Sequence, residues 1–234
     1  CKAILELGAP LEPVPLPRQG ANHGDARTAG RYASASALRA LWRQEGPDAL
    51  APYVPAGALP RYQETRAAGE DTDPQAVSLA VLSRLRARAV AGGFAGVRGI
   101  TEGLEHRLDS CVRQAVTLEG LCDALTTVRY PRARMRRLAM DAALGYGSPG
   151  AGPGWLTLPA LPPYLHLLAA RREAMPLLAA ASLPVSPSLA RLTRENDACT
   201  RTARAQTAAS DLAALCRRTP QPMGTAYTVP FTKL

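Results

Sequence analysis

The chain has 234 residues, 47% of them apolar but only 5% aromatic, enough for an ordinary core in one large domain or two small ones. Its net charge is +9 with an isoelectric point near 9.8, and 26 of its 28 basic residues are arginine, a balance that suits a polyanionic partner. No apolar run approaches the roughly 18 residues of a membrane span and no signal-like segment opens the chain, so the sequence predicts a cytoplasmic protein with no membrane partner.

Abundant alanine and leucine with few aromatics favour a mainly α fold. A first helix over Lys2–Leu7 is closed by Gly8, and Leu11–Leu16, with Pro13 and Pro15 at alternate positions, reads as an edge strand or extended segment. A polar, glycine-rich loop over 20–30 leads to a helix capped by Ser34 or Ser36, with Leu38, Leu41 and Trp42 on one face. Residues 44–74 hold Pro47, Pro52, Pro55 and Pro60 without sustained periodicity, and read as a linker. Asp73-Pro74 then opens a helix running to about Ala89.

Three shorter helices follow. Thr101 is the expected cap of the first, with Leu104, Leu108, Val112 and Ala115 recurring on one face; Thr117 opens the second, and the third runs from Pro131 to Leu144 and stops at Gly145. Short connections between them imply a compact helical bundle. Residues 147–163 read as loop, Tyr164–Leu168 as a short strand, Arg172–Ala181 and Ser210–Cys216 as helices, and Ala226–Val229 as a closing strand.

Cys1, Cys111, Cys122, Cys199 and Cys216 are odd in number and widely spaced, with no C-x-x-C pair and no histidine cluster, so they predict reduced thiols and no metal site. Glu102 and Glu105 read as first-turn carboxylates that complement a helix dipole. His106 reads as a surface packing or hydrogen-bonding residue.

The chemistry concentrates in Arg129-Tyr-Pro-Arg-Ala-Arg-Met-Arg-Arg137. Met135, Leu138, Ala139 and Ala142 share the inward face of that helix, which leaves Arg132, Arg134, Arg136 and Arg137 on the remainder beside Arg129. Like charges one turn apart repel by a few tenths of a kcal/mol, a cost that an anion laid along the helix would relieve. A solvated face neutralised by carboxylates elsewhere accounts for the same pattern.

Gly99-Ile-Thr-Glu-Gly-Leu-Glu-His-Arg107, followed by Arg129-Tyr-Pro-Arg-Ala-Arg-Met-Arg-Arg-Leu138, resembles two consecutive signatures of the bacterial tRNA(Met) cytidine acetate ligase family. Weaker similarity runs through Ala9-Pro-Leu-Glu-Pro-Val14, Gly20-Ala21-x-His23, Tyr164-Leu-His-Leu-Leu168 and Ala208-Ala-Ser-Asp-Leu-Ala-Ala-Leu215. The resemblance implies an ATP-dependent ligase that activates acetate as acetyl-adenylate and acetylates N4 of the wobble cytidine of elongator tRNA(Met). It divides the chain into the end of a nucleotidyltransferase-like domain over 1–46, a linker over 47–74, a helical tRNA-binding region over 75–146 and a small α+β region over 147–234.

By the same resemblance, Arg18, Gln19, Ser34, Ser36 and Arg39 contact ATP. Mg2+ accompanies the nucleotide without an assigned protein ligand, and Arg129, Arg132, Arg134, Arg136 and Arg137 hold the tRNA. Ser34 and Ser36 at a helix N-terminus offer hydroxyls and amides to a phosphate, although serine also caps helices that bind nothing. The family's H-x-G-H type motif has no counterpart here, since His23, His106 and His166 stand alone, and His166 replaces a common arginine. Together with Cys1 falling inside a predicted helix, this leads us to expect the C-terminal portion of such an enzyme, without catalytic residues and inactive alone. The alternatives are a non-catalytic tRNA-binding module of the same descent and a helical scaffold that meets an acidic protein.

Overall fold

The computed structural model describes residues 2–17, 32–101 and 103–233, which fall into two compact units, 1–68 and 69–234.

In the first unit, α1 (Lys2–Leu7) buries none of its residues and ends where Gly8 turns to a φ of +56°. The following Leu11–Leu16 forms no strand: its leucines and valine are exposed, two prolines remove ladder donors, and no strand pairs with it among the described residues. Ser34 stands extended before α2 (Ala35–Glu45), and its hydroxyl accepts the Ala37 amide at 3.0 Å. The expected linker is folded instead. A 3-10 helix covers Pro47–Leu50, and α3 (Leu59–Ala67) packs against it, so Pro47 and Pro60 sit in first helical turns where a missing amide costs nothing. The Trp42 ring meets Tyr62 edge-on, 5.5 Å between centroids, and both line a cleft with the buried Leu50.

The second unit is built on four consecutive helices. α4 (Pro74–Ala91) is capped by Asp73, whose carboxylate accepts the Gln75 amide at 2.8 Å. α5 (Leu104–Gln114) starts later than expected. Gly103, at φ +78°, precedes it without a side-chain cap, and the Thr101 hydroxyl lies 3.3 Å from the Tyr130 hydroxyl instead. α6 (Leu118–Leu125) is capped by Thr117 as its sequence implies, and α7 (Arg132–Leu144) stops at Gly145, φ +77°. Leu85, Leu104, Leu108, Val112, Leu121, Leu125 and Met135 are fully enclosed where these helices face one another.

Beyond α7 come β1 (Leu165–His166), β2 (Ala169–Ala170), α8 (Met175–Ala179), β3 (Val185–Ser186), α9 (Leu189–Leu192), α10 (Asp197–Leu215) and β4 (Thr232–Lys233). β1 pairs in parallel with β3, and β2 with β4. The helix expected over Arg172–Ala181 is a 3-10 turn at Arg172–Ala174 leading into α8, and Thr225–Tyr227 is another 3-10 turn where a strand was expected. α10 extends far upstream of the predicted Ser210, with Asn196 as its cap. Its Leu212, and Cys216 just after it, enter the same core as α4–α7, while Tyr164, Leu189, Leu192, Cys199, Ala203 and Ala226 form a second buried cluster within the unit. After α10 the chain clasps the start of the unit: Thr219 and Arg218 amides donate to the Gly69 and Asp71 carbonyls, and the Arg218 guanidinium grips Asp71 at 2.9 Å. Gly69 has φ +66°, and a β-carbon there would lie 2.1 Å from the Thr219 hydroxyl.

Candidate nucleic-acid interface

α7 turns Met135, Leu138, Ala139 and Ala142 into the core, which forces its arginines onto the open surface. They are not equivalent. Arg132 is held by two α6 carboxylates, Glu119 and Asp123, so at this residue carboxylate neutralisation accounts for the charge. Arg136 and Arg137 are exposed and have neither an ion pair nor a hydrogen bond among the described residues. Arg137 lines two neighbouring clefts, one with Arg132, Arg136 and Met140, the other with Arg98, Gly99 and Arg134. The Arg134 and Arg129 guanidinium groups lie 5.1 Å and 5.5 Å from the Tyr130 ring centre, within cation–π range.

The two sequence signatures meet here. Thr101 touches Tyr130 through their hydroxyls, Arg134 reaches toward the Gly99 carbonyl at 3.5 Å, and Arg107 donates to the Ala124 carbonyl at 2.6 Å, tying α5 to α6. At the rim, Arg98 makes two hydrogen bonds to Asp141, at 2.8 Å and 3.0 Å, an arrangement that holds the guanidinium above its usual pKa. Tyr130 and Arg98 are thus part of the surface although arginine spacing singled out neither; the one visible signal for Tyr130 was its place inside the second signature. Burial pushes the nearby Cys122 thiol up, with Glu119 adding to the effect.

His106 is exposed, with Glu105 beside it at 3.7 Å. His166 Nδ1 lies 3.3 Å from the Gln206 amide nitrogen, whose oxygen accepts the Tyr164 hydroxyl at 2.9 Å. Neither forms a catalytic constellation, and the described residues contain no group of three His, Cys, Asp or Glu side chains placed to hold a metal ion.

The nucleotide-binding expectation falls on α2. Ser34 is buried and committed to its cap, whereas Ser36 and Arg39 are exposed. The first turn therefore presents Ser36 with helix amides, and Arg39 one turn in borders a cleft with Leu38, Trp42, Val54 and Tyr62. Arg18, Gln19 and His23 lie outside the described residues.

The sequence profile of the HIGH nucleotidyl transferase family matches residues 1–225. The chain belongs to that family. Within it, a tRNA(Met) cytidine acetate ligase of Latilactobacillus sakei is 32% identical over 145 residues, which cover 61% of this chain and 36% of the relative. One of Levilactobacillus brevis is 31% identical over 140 residues, covering 57% and 34%. The matched stretch spans about a third of the length of these curated relatives. A crystal structure of Thermotoga maritima TmcAL, in an apo form, superposes with a TM-score of 0.80 at 19% identity, covering 99% of this chain and 58% of that one. A form bound with alpha-thio ATP gives 0.73 at 18% identity, covering 89% and 54%. The nucleotidyl transferase family member described here thus shares its mainly helical fold with TmcAL, and the resemblance carried by the two signatures is borne out.

Proposed function

We propose that the chain works within an ATP-dependent tRNA(Met) cytidine acetate ligase. In that reading acetate is activated as acetyl-adenylate and passed to N4 of the wobble cytidine of elongator tRNA(Met), and Mg2+ accompanies the nucleotide. The carrying observation is the surface where the signatures meet: Arg136 and Arg137 lack carboxylate partners, and Arg129 and Arg134 flank the Tyr130 ring beside them. Asp141 at the rim of both clefts is taken by Arg98, so an RNA backbone would supply the anions that Arg136 and Arg137 lack, and its unpaired bases have flat faces that match an aromatic ring. Arg18, Gln19, Ser36 and Arg39, at and before α2, serve the ATP phosphates in this reading. Ser34 supports them by fixing the helix start.

Arg132 positions α7 against α6 and contributes less to RNA contact than its neighbours. The test is filter binding of tRNA across a salt series with the Arg136→Ala/Arg137→Ala pair. We expect weaker binding and a shallower dependence on salt, with folding intact. An unchanged salt slope would remove this face from the RNA contact.

A further inference from the structure

A larger cleft opens at the other end of the same helices, where the C-terminal ends of α4 and α7 face the 153–155 loop. It holds about 660 Å3 and is lined by Arg84, Arg88, Gly92, Gly93, Gly145 and Trp155 among others, with no acidic residue. The Arg88 guanidinium carbon lies over the Trp155 ring, 3.9 Å from its centre. Glycines make this stack possible. A β-carbon on Gly96 would come within 2.3 Å of the indole nitrogen, one on Gly147 within 2.6 Å of the Trp155 β-carbon, and one on Gly145 within 3.2 Å of the Arg88 guanidinium.

Half-buried arginines elsewhere in the unit, and many exposed ones, have their donors occupied. Arg86 and Arg107 donate to carbonyls, and Arg98 and Arg113 to carboxylates. Arg88 differs, because it is half-buried and makes no hydrogen bond or ion pair among the described residues; Arg84, one turn earlier, is exposed and equally unpaired, as are Arg136 and Arg137. The helix ends close by carry exposed carbonyl charge, and a single arginine is often placed to complement it. That explanation is weak here, because the Arg88 donors take none of those carbonyls. Two cations one turn apart repel, and burying part of one costs hydration.

A flat guanidinium backed by an indole, with an unpaired cation one turn away, matches a ligand that has a planar face and a negative charge. We propose that this cleft takes one unpaired nucleotide of an RNA strand, its base stacked on the outer face of Arg88 and its phosphate held by Arg84. The inference rests on the RNA-binding reading above. It adds a second contact roughly 10 Å further along α7 from Arg137, and a base that must be unpaired to stack selects a single strand over a duplex.

Trp155 is its own reporter once Trp42 is replaced by phenylalanine. Titration of the Trp42→Phe chain with a labelled six-residue oligouridine should quench or shift Trp155 emission in step with binding followed by the label's anisotropy. A duplex RNA of equal length should bind without that change. Arg88→Lys, which keeps the charge but removes the plane, should weaken oligouridine binding about ten-fold or more. Arg84→Gln, a substitution at an exposed position, should preserve the emission change and lower the salt dependence. Trp155 emission that stays constant at saturating oligouridine overturns the proposal, as does an equal response to inorganic pyrophosphate. tRNA binding by the chain with a silent Trp155 removes only this cleft, whereas a failure to bind tRNA at all removes the RNA reading with it.

Discussion

Residues 69–234 and 1–68 solve the problem of presenting polar chemistry in different ways. In the first, α4–α7 and the end of α10 enclose a continuous set of leucines and valines, and the basic surface is spread over that rigid support. In the second, Ala37 and Leu50 are the buried apolar side chains among the described residues, while Leu5, Leu7, Leu11, Val14 and Leu16 are open. A charged surface held by a close-packed core keeps its spacing, which is what recognition of a regular polyanion requires. The α2 terminus rests on a thin layer, with the Ser34 cap at its start and the Trp42–Tyr62 pair further along.

That contrast can be broken most directly in the core. Leu121→Ala should cost about 2–5 kcal/mol in urea unfolding, whereas Leu16→Ala, at an exposed position, should stay within roughly 0.5 kcal/mol. Next in size is the arginine pair. Arg136→Ala with Arg137→Ala should lower the slope of log affinity for tRNA against log salt by roughly 1.5 while leaving the unfolding midpoint in place.

Caps test the same division on a smaller scale. Thr117→Ala should cost about 1 kcal/mol of the stability of residues 69–234, and Ser34→Ala a similar amount, seen as faster amide exchange confined to α2. The smallest effect is on pH dependence. Burial raises the Cys122, Cys216, Tyr146 and Tyr164 pKa values on folding, so these acids stay protonated in the native state after the unfolded chain has begun to lose its protons. Their contribution is complete below the ordinary thiol value of 9.0 and declines as pH rises above it. The unfolding midpoint of residues 69–234 should therefore drop above pH 9, with a shallower drop in Cys122→Ala.

The helices that carry strong punctuation were legible. Asp73-Pro74, Thr117 and Gly145 mark real boundaries because each signal acts locally, through a side-chain oxygen or a left-handed φ. Thr101 misled because its hydroxyl finds Tyr130, a partner that lies 29 residues on and is invisible to spacing. Prolines 47 and 60 suggested a linker, although proline fits the first turn of a helix as readily as it breaks one. The upstream half of α10 buries Cys199, Ala203 and Ala205, small residues that give little periodic contrast. In the candidate interface, the arginine run was visible in the sequence. What was not visible is that α6 takes Arg132 out of it and that Gly99 and Thr101 meet Arg134 and Tyr130 respectively. The Arg88–Trp155 stack joins residues too far apart for any local pattern to reveal.

The clasp between Gly69–Asp73 and the residues after α10 sets an order of events for a chain made from its N-terminus. Asp71 and Arg218 are separated by 147 positions, so the strap at the head of the unit cannot close until its tail has left the ribosome. By then α4 to α7 have all emerged and can already be packing, still open along the side that Leu212 and Cys216 will cover. The last long helix therefore works as a seal, and a chain interrupted before residue 216 would hold its basic surface on a bundle with one flank exposed to every apolar surface it meets.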